Sequence, residues 1–139
     1  MFQLTYTSKT TSTKEQLLVD LRNILSEARN FNVSYDVTGV LYFADGNFFQ
    51  YLEGGKDILL ILKDKLINDS RHDDLKFSEM KSLQQKYFND WSMKYVKKNS
   101  AIQQYLVTCN VDGFNPQYLN QKHIDKLITL LVSSEACVI

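Results

Sequence analysis

Apolar and polar residues alternate at the start of the chain. Phe2, Leu4 and Tyr6 are separated by Gln3, Thr5 and Thr7, the period-two pattern of a strand with one apolar face. The period then lengthens. Leu17, Leu18, Leu21, Ile24, Leu25 and Ala28 recur at helical spacing after Thr13–Gln16 (TKEQ). That tetrapeptide has the form of a capping box, with Thr13 at the N-cap and Gln16 at N3, and the helix is expected to end near Asn32. Val37–Phe43 (VTGVLYF) and Phe48–Glu53 (FFQYLE) then flank Asp45-Gly46, a turn dipeptide that joins two hairpin arms. Both arms are apolar on both faces, so the sheet they build must be covered on both sides.

After Gly54-Gly55, Asp57 is placed to cap a second helix reaching Ile67, with Ile58, Leu59, Leu62 and Leu66 inward and Leu60 and Ile61 widening the stripe. NDSRHDD reads as a polar loop and Leu75–Leu83 as a weakly patterned strand. Trp91, Met93 and Tyr95, alternating with Ser92, Lys94 and Val96, read as a last strand. The order β-α-β-β-α-β-β predicts an α+β, ferredoxin-like sheet with two helices on one face. Beyond a polar bridge (KKNS), Ile102–Val107 suits a short helix and Asp112-Gly113 a turn. Asn115-Pro116 reads as an N-cap with proline at N1, and Leu119, Ile124, Leu127, Ile128 and Leu131 line one side of a further helix from Pro116 to about Val132. That helix is the one apolar stripe left to cover the second face of the sheet, where Val40, Tyr42, Phe49 and Tyr51 point. Residues 1–97 and a helical extension, 98–139, are thus expected to form one packed body.

Within this scheme Gln50 is the anomaly. It lies mid-strand in an apolar row with Phe48 and Leu52, and a buried amide without partners costs about 1–3 kcal/mol per unsatisfied group. In a ferredoxin-like sheet the first and third strands are central neighbours, which puts Tyr6 opposite Gln50 beneath the two helices. A phenol and an amide there either satisfy one another as a core pair or serve a ligand.

Composition narrows the chemistry. With 16 basic and 16 acidic residues the net charge is zero, so no field of one sign favours nucleic acid or an anionic membrane. Eight Tyr, eight Phe and one Trp suit an aromatic core or a grip on a flat ligand. Cys109 and Cys137 lie far apart without ligand spacing, which predicts free thiols and no metal site. The start MFQLTYTSKTT lacks the regions of a signal peptide, and the longest apolar run is far too short to span a bilayer, so a cytoplasmic location is expected. Neither a nucleophile elbow nor a phosphate loop occurs, and the carboxylates form no acid/base pair.

An early L-x-Y strand, AR-x-x-N at Ala28–Asn32, Thr38-Gly39, FFQYLEG, D-x-RH at Asp69–His72 and W-x-M at Trp91–Met93 follow one another in an order and spacing that resemble the BLUF family of blue-light sensors. The resemblance implies a flavin, FAD with FMN as the alternative, held between the two helices, with the terminal helices on the opposite face. It implies a sensor, not an enzyme. Tyr6 would donate an electron and a proton to the excited flavin, and Gln50 would bridge it to the flavin N5/O4 edge. Asn32 would hold the polar edge of the ring. Arg29 falls within the AR-x-x-N motif, and Asp69 and Arg71 would approach the pyrimidine end. Ile24, Phe48 and Leu66 would form apolar walls, and Trp91 and Met93 would be the pair that exchanges near the glutamine in signalling. His72 either stacks near the flavin side chain or is a solvated loop histidine. Phe31 departs from the polar residue frequent at that position. Output would then pass through a partner protein or a change in assembly, a homo-oligomer included. The rival expectations are a small flavin oxidoreductase and an RNA-binding sheet with Phe49 and Tyr51 as stacking residues.

Overall fold

A computed structural model describes residues 1–139. The elements run β1 (Phe2–Thr10), α1 (Leu17–Ser34), β2 (Thr38–Ala44), β3 (Asn47–Gly54), α2 (Lys56–Ile67), β4 (His72–Phe77), β5 (Lys81–Ser82), β6 (Lys94–Lys97), α3 (Ser100–Thr108), a 3₁₀ turn (Pro116–Tyr118) and α4 (Gln121–Ser133). The sheet order is β4-β1-β3-β2-β6, with β5 also paired to β1. Pairing is antiparallel except for β6, which lies parallel to β2. The architecture is the expected α+β, ferredoxin-like one.

The hairpin sets the register. Asp45 and Gly46 both take positive φ, 52° and 78°, the conformation whose twist matches the strands it joins. Gly39 is required for a different reason: a Cβ there would collide with the Tyr51 carbonyl oxygen on β3. With register fixed, alternation sends Leu41, Phe48 and Leu52 to one face, where they pack with Leu21 and Leu25 of α1, Leu59 and Leu62 of α2, and Met93. Val40, Tyr42, Phe49 and Tyr51 go to the other face, where they pack with Ile102 and Leu106 of α3, Leu127, Ile128 and Leu131 of α4, and Phe88 and Phe114. Each such side chain contributes about 1.5–3 kcal/mol on burial. Phe49 and Tyr51 are fully buried, which leaves no stacking platform for RNA.

Several local expectations change. Thr13 Oγ1 does accept from the Gln16 amide, but the Gln16 side chain turns to Asp20 and the helix proper begins at Leu17. It runs two residues past Asn32 to Ser34, and Leu18 is exposed. Gly55, not Asp57, is the N-cap of α2, and Leu60 and Ile61 point to solvent. The NDSRHDD segment is a loop only to Arg71, because His72 pairs with Thr10 and opens β4. The long strand expected over 75–83 is two short ones, β4 and β5. β6 starts at Lys94, so Trp91 and Met93 precede the strand. The last helix is broken at Leu119–Asn120, and Asn120 with His123 forms the capping box of α4.

Candidate functional site

Tyr6 and Gln50 are register partners on β1 and β3, and both are buried. Partners across an antiparallel pair point to the same face, here the face under α1 and α2. The Gln50 amide nitrogen donates to Met93 Sδ at 3.5 Å. A direct Tyr6–Gln50 bond, one of the two arrangements expected of the pair, is not formed, since the amide has turned along the sheet toward Met93.

Between α1, α2 and these strands lies a cleft of roughly 630 Å³, counting the part open to solvent. Tyr6, Ile24, Asn32, Gln50, Leu66, Asp69 and Arg71 all line it, joined by Leu52, Leu62 and Phe31. The lining thus combines hydrophobic side chains with polar ones, among them Asn32 and the Asp69–Arg71 pair.

Asn32, 1% exposed, donates from Nδ2 to the Ser92 carbonyl at 2.6 Å, while its Oδ1 has no partner. A buried amide oxygen left free beside a cleft is an acceptor awaiting a donor. The Arg71 guanidinium meets both Asp69 oxygens at 2.7–3.3 Å and Glu27 at 2.6 Å. Burial opposes the Asp69 charge, but the hydrogen bonds from the Arg71 side chain and backbone outweigh it and hold the carboxyl below its usual range. Burial first, then the Asp69 charge, pushes the Tyr6 phenol well above its ordinary value, with Arg71 acting the other way. Tyr6 therefore stays protonated at any physiological pH.

Three of the expected ligand residues stand outside the cleft. Arg29 turns away and donates from Nε to the Met93 carbonyl at 3.1 Å. Phe48 packs against Phe43 and His72. His72 is neither solvated nor in the cleft: Nε2 donates to the Leu66 carbonyl and Nδ1 meets Ser8 Oγ, each at 2.8 Å. Trp91 is 40% exposed, whereas Met93 is buried against Gln50. Glu27, Ala28 and Lys65 line the cleft without having been foreseen. Helical phase carried the signal for the first two, which follow Ile24 by three and four residues. Lys65 also lies over the Phe31 ring, its Nζ 4.3 Å from the centroid, and ties α2 to α1 at the position where the sequence is unusual.

The fold is α+β, with a cleft between two helices and the sheet lined by both hydrophobic and polar side chains. The chain belongs to the BLUF family, described as sensors of blue light using FAD, whose sequence model matches residues 1–94. The structure of BlsA in its photo-activated state is 38% identical, with 99% of each chain covered, and superposes with a TM-score of 0.94. The dark-state structure of BlrB, a BLUF protein, shares the fold at 21% identity and a TM-score of 0.80, over 95% of each chain. The photoactivated adenylate cyclase subunit beta of Euglena longa is 34% identical over 106 residues, which is 76% of this chain but 12% of that protein. The chain is therefore a blue-light flavin sensor of the family. No helix is long and apolar enough to cross a membrane.

Proposed function

We propose that the chain holds FAD in the cleft between α1 and α2 and converts absorbed blue light into a rearrangement of Tyr6, Gln50 and Met93. The observation that carries this reading is the free Asn32 Oδ1 beside a cleft that also exposes Tyr6 and Gln50. An isoalloxazine ring has one N–H on its polar edge and acceptors around it. Asn32 Oδ1 suits that N–H, Ile24, Leu62 and Leu66 suit the ring faces, and Arg71 and Lys65 suit the acceptor oxygens and the phosphate side.

A bound flavin supplies the light absorption and the electron-accepting power. Tyr6 gives up one electron and its phenolic proton and takes both back, so no substrate is consumed. Gln50, held on one side by the thioether of Met93, turns its amide during that exchange and ends in a different hydrogen-bonding arrangement. A thioether is a weak acceptor, so the bond that Gln50 must break is a cheap one. Asp69 and Arg71 form a fixed polar pair that orients the ligand without moving.

Residues 1–97 act as the sensor and 98–139 as the extension that carries its state outward to a partner protein or a second copy. A reducing, cytoplasmic setting is consistent with Cys109 and Cys137 being unpaired. Absorption spectroscopy of the purified protein tests the reading. An oxidised flavin spectrum is expected, with a small red shift under blue light that reverses fully in the dark. Bleaching to reduced flavin, or no change, overturns it. Mass analysis of the released chromophore distinguishes FAD from FMN.

A further inference from the structure

The most completely satisfied buried charge in the protein lies on the wrong face of the sheet for the flavin. Glu53 on β3 is fully buried, three residues from Gln50 and on the opposite side. Its Oε1 accepts from Thr38 Oγ1 at 2.8 Å and from the Phe88 amide at 2.6 Å. Its Oε2 accepts from the Tyr51 hydroxyl at 3.0 Å and from the Tyr87 amide at 2.9 Å. Two of these donors, Thr38 and Tyr51, belong to the hairpin. The other two are backbone groups of the connection that leads to Met93.

Ahead of Tyr87 the connection is also tied by the Leu83 amide to the Met1 carbonyl at 2.8 Å and by Lys86 Nζ to the Asp36 carbonyl and carboxylate at 2.8 and 3.0 Å. Between Ser82 and Lys94 it has no ladder of its own. After Phe88 its contacts are single bonds: the Trp91 amide to the Phe88 carbonyl at 2.9 Å, the Gly39 amide to the Trp91 carbonyl at 3.2 Å, Asn32 to Ser92, Arg29 to the Met93 carbonyl, and Gln50 to Met93 Sδ. The Phe88 ring is itself buried against Tyr51 at 5.4 Å, which fixes the same end. A carboxylate removed from water is tolerated only with this density of donors, and here the donors are so chosen that its charge grips a loop.

We propose that Glu53 is a positioning residue for the photocycle: it anchors the Tyr87–Phe88 end of the segment that carries Met93 to Gln50. It does not line the cleft. The inference rests on the reading of Met93 as partner of Gln50 in the light response. With the far end pinned, Met93 can leave Gln50 and return only within the slack of five residues. Release of the anchor lowers the barrier to that exchange.

Glu53→Gln keeps the volume and removes the grip selectively. The amide group that replaces one oxygen can meet a hydroxyl, which rotates to accept, but never a backbone N–H. One of the Tyr87 and Phe88 amides is then left without a partner. Tyr51→Phe and Thr38→Val are the controls, since each deletes a donor to Glu53 from the hairpin and leaves the loop bonds in place. The expected result for Glu53→Gln is retained flavin, an intact red shift, thermal dark recovery faster by threefold or more, and faster amide exchange at residues 87–93. Both controls lower the melting temperature while recovery stays within twofold of wild type. Unchanged or slower recovery in Glu53→Gln, or the same acceleration in the controls, overturns the proposal. Should Glu53→Gln fail to fold, amide exchange in the wild type decides: the Tyr87 and Phe88 amides must be strongly protected in the dark, and free exchange there overturns it. A missing red shift in the wild type would defeat the Tyr6–Gln50 reading instead, so the two failures are separable.

Discussion

Tyr6 and Gln50 stand directly opposite one another on β1 and β3, yet the Gln50 amide donates to Met93 Sδ and not to the phenol. The buried phenol is kept protonated by its surroundings, and the amide is committed only to a thioether. This is a loaded arrangement, with a proton and an electron at hand and a weakly held side chain beside them. Tyr6→Phe should retain flavin and lose the red shift altogether, because the ring shape survives and the donor is lost. Gln50→Leu should also bind flavin and lose the shift. Difference spectra before and after blue light check both, and a normal red-shifted state in either variant removes that residue from the switch.

Asn32 has two jobs that pull in opposite directions on the same side chain. Nδ2 is bonded to the Ser92 carbonyl, and Oδ1 is free toward the cleft. Asn32→Ala should weaken flavin affinity by tenfold to a hundredfold, since a buried hydrogen bond of about 1–3 kcal/mol is lost and about 1.4 kcal/mol is a factor of ten. Equilibrium dialysis of the refolded apoprotein with FAD measures this. Affinity within twofold of wild type would show that Asn32 only braces Ser92.

The Asp69–Arg71 pair should make ligand retention sensitive to acid. The folded carboxyl lies below its ordinary value of 3.8, so the native state binds fewer protons there than the unfolded one. The stabilisation is complete above the unfolded value and is lost as pH falls from there through the folded one. Fold stability, and flavin retention with it, is therefore expected to decline below about pH 4. Asp69→Asn should release flavin more readily at neutral pH and flatten this acid limb. Flavin fluorescence recovered in a filtrate across pH 3–7 reports both, and an unchanged acid limb in Asp69→Asn rules out this residue as its source.

How much of this was legible in the sequence depends on the range of the forces involved. The hairpin, both inner helical stripes and the facing of Tyr6 with Gln50 follow from periodicity and turn chemistry, which are local and strong. Motif order brought together five cleft residues, Tyr6, Asn32, Gln50, Asp69 and Arg71, from four separate stretches of chain. What failed was decided by single contacts at a distance. Arg29 sits in the right motif, but its stem leads to the Met93 carbonyl and not into the cleft. His72 looked like loop because it is flanked by aspartates, yet pairing with β1 and two hydrogen bonds bury it. Trp91 and Met93 alternate like strand residues but are held by isolated bonds from Gly39, Arg29 and Gln50. The role of Glu53 was invisible, because two of its four donors are backbone amides thirty-four and thirty-five residues away.

The residue after Met93 reaches the other side of the sheet. Lys94 is 4% exposed, and its ammonium donates to the carbonyls of Leu131 and Val132, at 2.9 and 3.1 Å, in the last turn of α4. A cation at that end complements the free carbonyls and the helix dipole. Burial pulls the Lys94 ammonium below its ordinary value, with Cys137 nearby acting the other way, so the bond is held at a cost and can be released. Consecutive residues thus touch Gln50 on one face and the end of α4 on the other. Light-driven movement of Met93 should twist Lys94 against those carbonyls and alter the docking of the tail. Hydrogen exchange in residues 97 to 135 should differ between dark and light in the wild type. The difference should shrink in Met93→Ala, which breaks the link at the flavin side. Lys94→Met, which keeps the stem and loses both hydrogen bonds, should loosen α4 already in the dark while the red shift stays intact. Coupling of this kind is typically about 1–3 kcal/mol, enough for a five- to hundredfold change in exchange. Identical tail protection in dark and light would refute the route through β6 and move the output surface to α1 and α2.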